Sequence, residues 1–242
     1  MIIYPAIDLR GGRVVRLTEG KFDQEKAYGD DPLAVAQDFK ASGATWLHVV
    51  DLDGAKDPAK RQTPLVEKLS RESGLRVQTG GGIRDETQVA ALLAAGVQRV
   101  IIGSLAVRSP DLVRGWLKQF GAERIILSPD VRVDATGIPR IAAAGWQETT
   151  DVALHDFLTG YVASGLKHIL CTDISRDGKL TGPNSALYAQ LVKQFPSLQI
   201  QASGGVSSLD DLRVLQTTGS AGAIVGRALY ENKFTLKEAL AC

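Results

Sequence analysis

The chain has 242 residues, 44% of them hydrophobic and 6% aromatic, and its 28 Lys and Arg balance 27 Asp and Glu to a net charge of +1. That balance argues against a nucleic-acid partner, which calls for a basic face, and leaves any phosphate to be held by local backbone geometry. Cys171, in an apolar run, and Cys242, at the end, make no disulfide framework. The opening MIIYPAIDLR has no basic region ahead of a long apolar stretch and no run approaches membrane-spanning length, so neither export nor a membrane is expected, and the expected setting is the cytoplasm.

In chain order, eight apolar and often β-branched runs stand out, at 2–7, 46–50, 76–79, 99–102, 124–127, 168–172, 199–202 and 221–225, each followed by a stretch of helical period. Helix starts are marked by Asp31-Pro32, Asp85-Glu86, Ser109-Pro110-Asp111, Gly182-Pro183 and Ser207-Ser208. Strands alternating with helices imply parallel pairing and right-handed crossovers. Eight such units predict one (β/α)8 TIM barrel, which needs about 250 residues. Gly80-Gly81-Gly82-Ile83 lacks the dinucleotide spacing, so no nucleotide cofactor is implied. Two connections exceed what a βα turn needs. One runs from Arg10 to about Asp30 with Gly11, Gly12 and Gly20, the other from Val133 to about Thr150, and both read as lids or binding loops.

The chain also repeats itself. Tyr4-Pro5-Ala6-Ile7-Asp8-Leu9-Arg10 is echoed by Ile126-Leu127-Ser128-Pro129-Asp130-Val131-Arg132, an offset of 130 − 8 = 122. Ala41-Ser42-Gly43 with Asp51 returns as Ala163-Ser164-Gly165 with Asp173. Gly81-Gly82-Ile83 returns as Gly204-Gly205-Val206, and Ile101-Ile102-Gly103-Ser104 as Ile224-Val225-Gly226-Arg227, at 204 − 81 = 123. Four motifs in one order and register predict a barrel of two duplicated halves, about 1–122 and 123–242.

Barrel active sites lie at the carboxyl ends of the strands. Asp8 and Asp130 end strands 1 and 5, which face one another, and two carboxyl groups approaching one small molecule suit general acid and base work. Asp51, Asp53 and Asp173 are as readily helix caps or loop charges, and Asp177 is either a third participant or a turn former before Gly178. Pro129, directly before Asp130, either fixes the aspartate's backbone or means that the strand stops earlier. The turns Gly81-Gly82 and Gly103-Ser104 after strands 3 and 4, and Gly204-Gly205 and Gly226-Arg227 after strands 7 and 8, let backbone N–H groups approach an anion. Two cradles imply a substrate with two phosphates. No histidine or cysteine spacing supports a metal site. His155 and His168 look structural, and His48 serves either core packing or substrate contact.

These residues resemble the sugar isomerases of histidine biosynthesis, the phosphoribosylformimino-5-aminoimidazole carboxamide ribotide isomerases. The resemblance covers essentially the whole chain, through AIDLRGGRVVRL, HVVDLDGAKDPAKRQ, QTGGGIRDE, VIIGSLAV, GWQE, CTDISRDG, ASGGV and ENKF. It implies an Amadori rearrangement of an aminoaldose to an aminoketose without cofactor or metal. It also implies that Asp8 moves the proton at C2′, that Asp130 protonates the ring oxygen, and that Arg16, His48, Trp146 and Asp177 reach the substrate. Trp146 could stack on a heterocycle. The expected partner is the bisphosphorylated small molecule, taken up by a monomer. Three alternatives stay open: the sister imidazole glycerol phosphate cyclase, a dual isomerase accepting phosphoribosyl anthranilate through Arg84 and Arg140, and a non-catalytic phosphate-ligand barrel.

Overall fold

The computed structural model describes residues 1–18, 21–143, 146 and 148–242. Gly20, Gly145 and Gln147, singled out above, lie outside them. The strands are β1 (Ile2–Arg10), β2 (Arg13–Thr18), β3 (Lys21–Gly29), β4 (Trp46–Asp51), β5 (Arg76–Gly80), β6 (Arg99–Ile102), β7 (Ile125–Leu127), β8 (Asp130–Val133), β9 (Pro139–Ala143), β10 (Glu148–Ala153), β11 (His168–Asp173), β12 (Gln199–Ser203) and β13 (Gly222–Val225). The helices are α1 (Pro32–Ala41), α2 (Leu52–Lys56), α3 (Thr63–Glu72), α4 (Glu86–Ala94), α5 (Ser104–Arg108), α6 (Pro110–Phe120), α7 (Leu154–Val162), α8 (Ser185–Gln194), α9 (Leu209–Thr217), α10 (Arg227–Tyr230) and α11 (Leu236–Leu240).

Parallel pairing runs β1, β4, β5, β6, β7, β11, β12, β13 and back to β1, which closes an eight-stranded barrel ringed by helices. Side chains alternate along each strand. Outward residues such as Ile7, Leu47, Val77 and Ile200 pack against the helices, while Tyr4, Ala6, Trp46, Ile101, Ile126, Leu170 and Ile224 form a separate cluster inside the barrel. At its amino-terminal end the Trp46 ring is held between the guanidinium carbons of Arg76 and Arg99, 4.7 and 4.4 Å from its centroid.

The strand ends and the long connections are now defined. Strand 5 is broken: β7 stops at Leu127, and the chain resumes pairing with β11 only at Asp130, opposite Thr172. Pro129 therefore sits in the break, where no ladder donor is needed. Strand 1 does not end at Asp8 but runs on to Arg10, with Asp8 paired to both Val50 and Val15. Each long connection contains paired strands: β2 and β3 form an antiparallel ribbon beyond β1, and β9 and β10 do the same beyond β8. Asp31, Asp85 and Ser208 cap their helices through side-chain bonds and Ser109 stands at the N-cap of α6 without one, but α8 starts at Ser185 behind Asn184, two residues past Gly182-Pro183.

Candidate active site

The carboxyl ends of the strands open into a pocket of about 1290 Å³. Its wall carries Asp8, Asp130, Arg16, His48, Trp146 and Asp177, together with both sets of turns, Gly81, Gly82, Gly103 and Ser104 on one side and Gly204, Gly205, Gly226 and Arg227 on the other. Distant stretches of chain thus converge on one cavity, because β1 and the broken strand of β7 and β8 are the first and fifth of eight around the barrel.

The two aspartates differ in their partners. Asp8 Oδ2 lies 3.0 Å from Arg16 Nη1, which β2 brings over the mouth. Burial pushes the Asp8 carboxyl up to about 6 despite Arg16, and the charge of Asp177 adds to the rise. Asp130 has no ion pair among the described residues. Its Oδ2 accepts a 2.8 Å bond from the indole N–H of Trp146. Burial again dominates and raises this carboxyl to about 6, against the hydrogen bonds from Trp146 and Thr172 and with Asp177 adding. Trp146 has a φ of 74°, a left-handed backbone costing about 1–2 kcal/mol for a non-glycine residue. In this structure its indole edge holds Asp130.

Asp51 and Asp173 resolve to the structural alternative. Asp51 accepts from the backbone N–H of Gly54 and Gln62 at 2.8 and 2.7 Å, and Asp173 from Ser175 N at 2.9 Å and Asn184 Nδ2 at 2.7 Å. Each ties down the loop behind its own glycine turn. Asp53 accepts from Gly11 N at 2.7 Å, joining the β1–β2 turn to α2. Asp177, by contrast, faces the pocket.

The glycine turns need glycine for a reason that the anion argument did not contain. Gly82 and Gly205 have φ of +72° and +89°, and a Cβ on either would overlap a backbone carbonyl, that of Gly54 or Gly182. Behind them Arg61 donates to the Gly81 carbonyl and Arg176 Nη1 to the Gly182 carbonyl. The pocket wall is also charged. Among the described residues seven cationic side chains, those of Arg16, Lys56, Arg84, Arg108, Arg132, Lys179 and Arg227, line the pocket against three carboxylates. A near-zero total charge conceals this because acidic residues elsewhere cancel it. Of the two arginines nominated for a second carboxylate substrate, only Arg84 is on the wall. Arg140 is bound away from it, to Asp134 Oδ2 at 2.7 Å and to the Asp151 carbonyl.

His168 bonds Glu123 at 2.8 Å and is structural, and His155 is exposed beside Asp156. His48 is on the pocket wall, and burial followed by the charge of Arg16 lowers its pKa to about 3. Sequence reasoning missed Thr172 and the buried pair Gln78 and Gln201 beneath His48. The pair's offset of 201 − 78 = 123, the same as that of the glycine turns, was an available signal. Among the described residues no group of three or more His, Cys, Asp or Glu is placed to hold a metal ion, and no helix is long and apolar enough to cross a membrane.

The structure is thus a TIM barrel whose pocket carries two buried, upshifted carboxyls and two pairs of glycine-rich turns. The chain belongs to the family described as histidine biosynthesis protein, whose profile matches residues 2–235. It is accordingly an enzyme of histidine biosynthesis, in a family that includes both the sugar isomerase and the cyclase of that route.

Proposed function

We propose that this chain is the isomerase of the family, converting the phosphoribosylformimino aminoimidazole carboxamide ribotide, an aminoaldose, into its phosphoribulosyl aminoketose. What favours the isomerase over the cyclase is the pair of loop motifs HVVDLDGA and GWQE, while Asp8 and Asp130, which suit either reading, supply the acid and the base. The two aspartates come from facing strands, open on one pocket and are both raised to about 6 by burial, so that proton donation and acceptance near neutral pH are both within reach. In this reading each half, about 1–122 and 123–242, supplies one carboxylate and one phosphate cradle.

Asp130, protonated, gives its proton to the ring oxygen as the C1′–O bond breaks, and the nitrogen lone pair closes a C1′=N iminium. Asp8, ionised, takes the proton from C2′, and the electrons of that C–H bond neutralise the iminium as an enolamine. Loss of the C2′ hydroxyl proton and protonation of C1′ complete the aminoketose. C2′ is oxidised as C1′ is reduced, so the exchange is internal, needs no external oxidant or reductant, and the atoms balance. Asp177 favours the protonated state of both carboxyls, while Arg16 favours the ionised state of Asp8 and the hydrogen bonds from Trp146 and Thr172 that of Asp130.

The test is incubation of purified protein with the aminoaldose bisphosphate, with the aminoketose plus ammonia, and with phosphoribosyl anthranilate. Ammonia-independent conversion of the first is expected. Consumption of the aminoketose only with ammonia would make the chain the cyclase, and conversion of the anthranilate compound would make it a dual isomerase.

A further inference from the structure

Below the two aspartates the barrel holds a second polar layer. Gln78 and Gln201, from facing strands β5 and β12, are 0% and 1% exposed and bond each other in both directions, Gln78 Nε2 to Gln201 Oε1 at 2.7 Å and Gln201 Nε2 to Gln78 Oε1 at 3.1 Å. The remaining hydrogen of the Gln78 amide points at His48 Nδ1, 3.1 Å away. An amide N–H can only donate, so His48 Nδ1 must accept and the ring proton must sit on Nε2. That nitrogen makes no hydrogen bond among the described residues, and His48 is on the pocket wall.

We propose that the Gln78–Gln201 pair is a tautomer lock, which fixes His48 as a neutral hydrogen-bond donor aimed at an acceptor oxygen of the bound substrate. Gln78 and Gln201 act only through His48 and are positioning residues. The substrate oxygen involved is a hydroxyl or carbonyl of the sugar portion, because His48 lies at the same level of the barrel as Ala6, two residues below Asp8 on the paired strand β1. A donor that cannot release its proton leaves proton transfer to Asp8 and Asp130. One glutamine from each half closes the pair, so neither half can build the lock alone.

If both amides turned over together they would still satisfy each other, but Gln78 would then offer its oxygen to His48 and the ring proton would move to Nδ1. The contact to substrate rests on the isomerase reading, whereas the lock itself is measured without substrate. The chain has three histidines, so long-range nitrogen–proton NMR on uniformly labelled protein, assigned with His48→Gln, reads the tautomer directly. The expected His48 signals are a protonated Nε2 and a bare Nδ1, constant between about pH 6 and 8, where an unperturbed imidazole would titrate.

Gln78→Glu keeps the shape and, once ionised, presents only acceptors, so it is expected to move the proton to Nδ1 at the alkaline end of that range. With the aminoaldose substrate it should lower kcat/KM roughly tenfold, the scale of one neutral hydrogen bond, chiefly through KM and without shifting either limb of the pH profile. Should Gln78→Glu fail to fold, Gln201→Met frees the Gln78 amide to rotate and is expected to show both tautomers. A parent His48 with its proton on Nδ1, a His48 that titrates in that range, or an unchanged tautomer in the folded variant overturns the lock. If the lock holds but the variants turn over the substrate normally, the substrate contact is wrong. If no aminoaldose is converted by the parent at all, it is the isomerase reading that fails.

Discussion

Asp130→Asn separates what this carboxyl does for the reaction from what it costs the fold. Its pKa is raised from 3.8 to about 6, a difference of about 2 units, or roughly 3 kcal/mol at 1.36 kcal/mol per unit. The residue keeps some contact with the pocket solvent, which reduces the cost of holding it ionised to about 1–2 kcal/mol. Because the folded pKa lies above the unfolded one, the contribution of Asp130 is fully present below about pH 4 and is lost as pH rises through about 6. An amide of the same shape never ionises and still accepts from the Trp146 indole. Asp130→Asn should therefore be the more stable protein above about pH 7, by about 3–6 °C in Tm, and should converge with the parent below about pH 4. Its kcat should fall by at least about a hundredfold. Asp8→Asn should lose as much turnover without the gain, since it strips Arg16 of its 3.0 Å partner. Calorimetry across that pH range, with initial rates on the aminoaldose, gives the answer. A lower Tm for Asp130→Asn above about pH 7, or a gain that persists below about pH 4, would refute the burial argument.

Trp146→Phe removes the donor that favours ionised Asp130, so the Asp130 pKa should climb by up to about one unit. With Asp130 as the acid, the alkaline limb of kcat/KM moves upward, and movement of the acidic limb instead would make it the base. Gly82→Ala and Gly205→Ala should each lose about 1–3 kcal/mol of stability in denaturant titration, from a left-handed backbone forced against a carbonyl; a rise in KM with stability intact would leave the anion cradle as the sole reason for glycine. A ligand with one phosphate should bind at least about tenfold more weakly than the bisphosphate by calorimetry, each phosphate making charge-assisted bonds. Equal affinities would remove the two-ended substrate.

The sequence by itself determined what depends on neighbours along the chain. Alternating apolar runs and helix periods set the eight barrel strands and the helices between them, because side-chain period and cap chemistry are local. The repeat placed Asp8 and Asp130 on strands 1 and 5, and the cyclic order of a closed barrel made those strands face one another. Only the tertiary structure decided what crosses the barrel. Pro129 could be either a constraint on a strand or a gap in one until β11 showed where its pairing stops and resumes. In the sequence Asp51 and Asp173 follow apolar runs just as Asp8 and Asp130 do, and the difference lies in Gly54, Gln62, Ser175 and Asn184, which supply the donors that occupy them. The cationic lining drew on residues from both halves, which a total charge averages away. Gly82 needs glycine because of a carbonyl 28 residues earlier at Gly54, and Gln78 meets Gln201 across 123 residues. Such contacts arise where separate stretches of chain come to occupy adjacent space, so no local pattern encodes them.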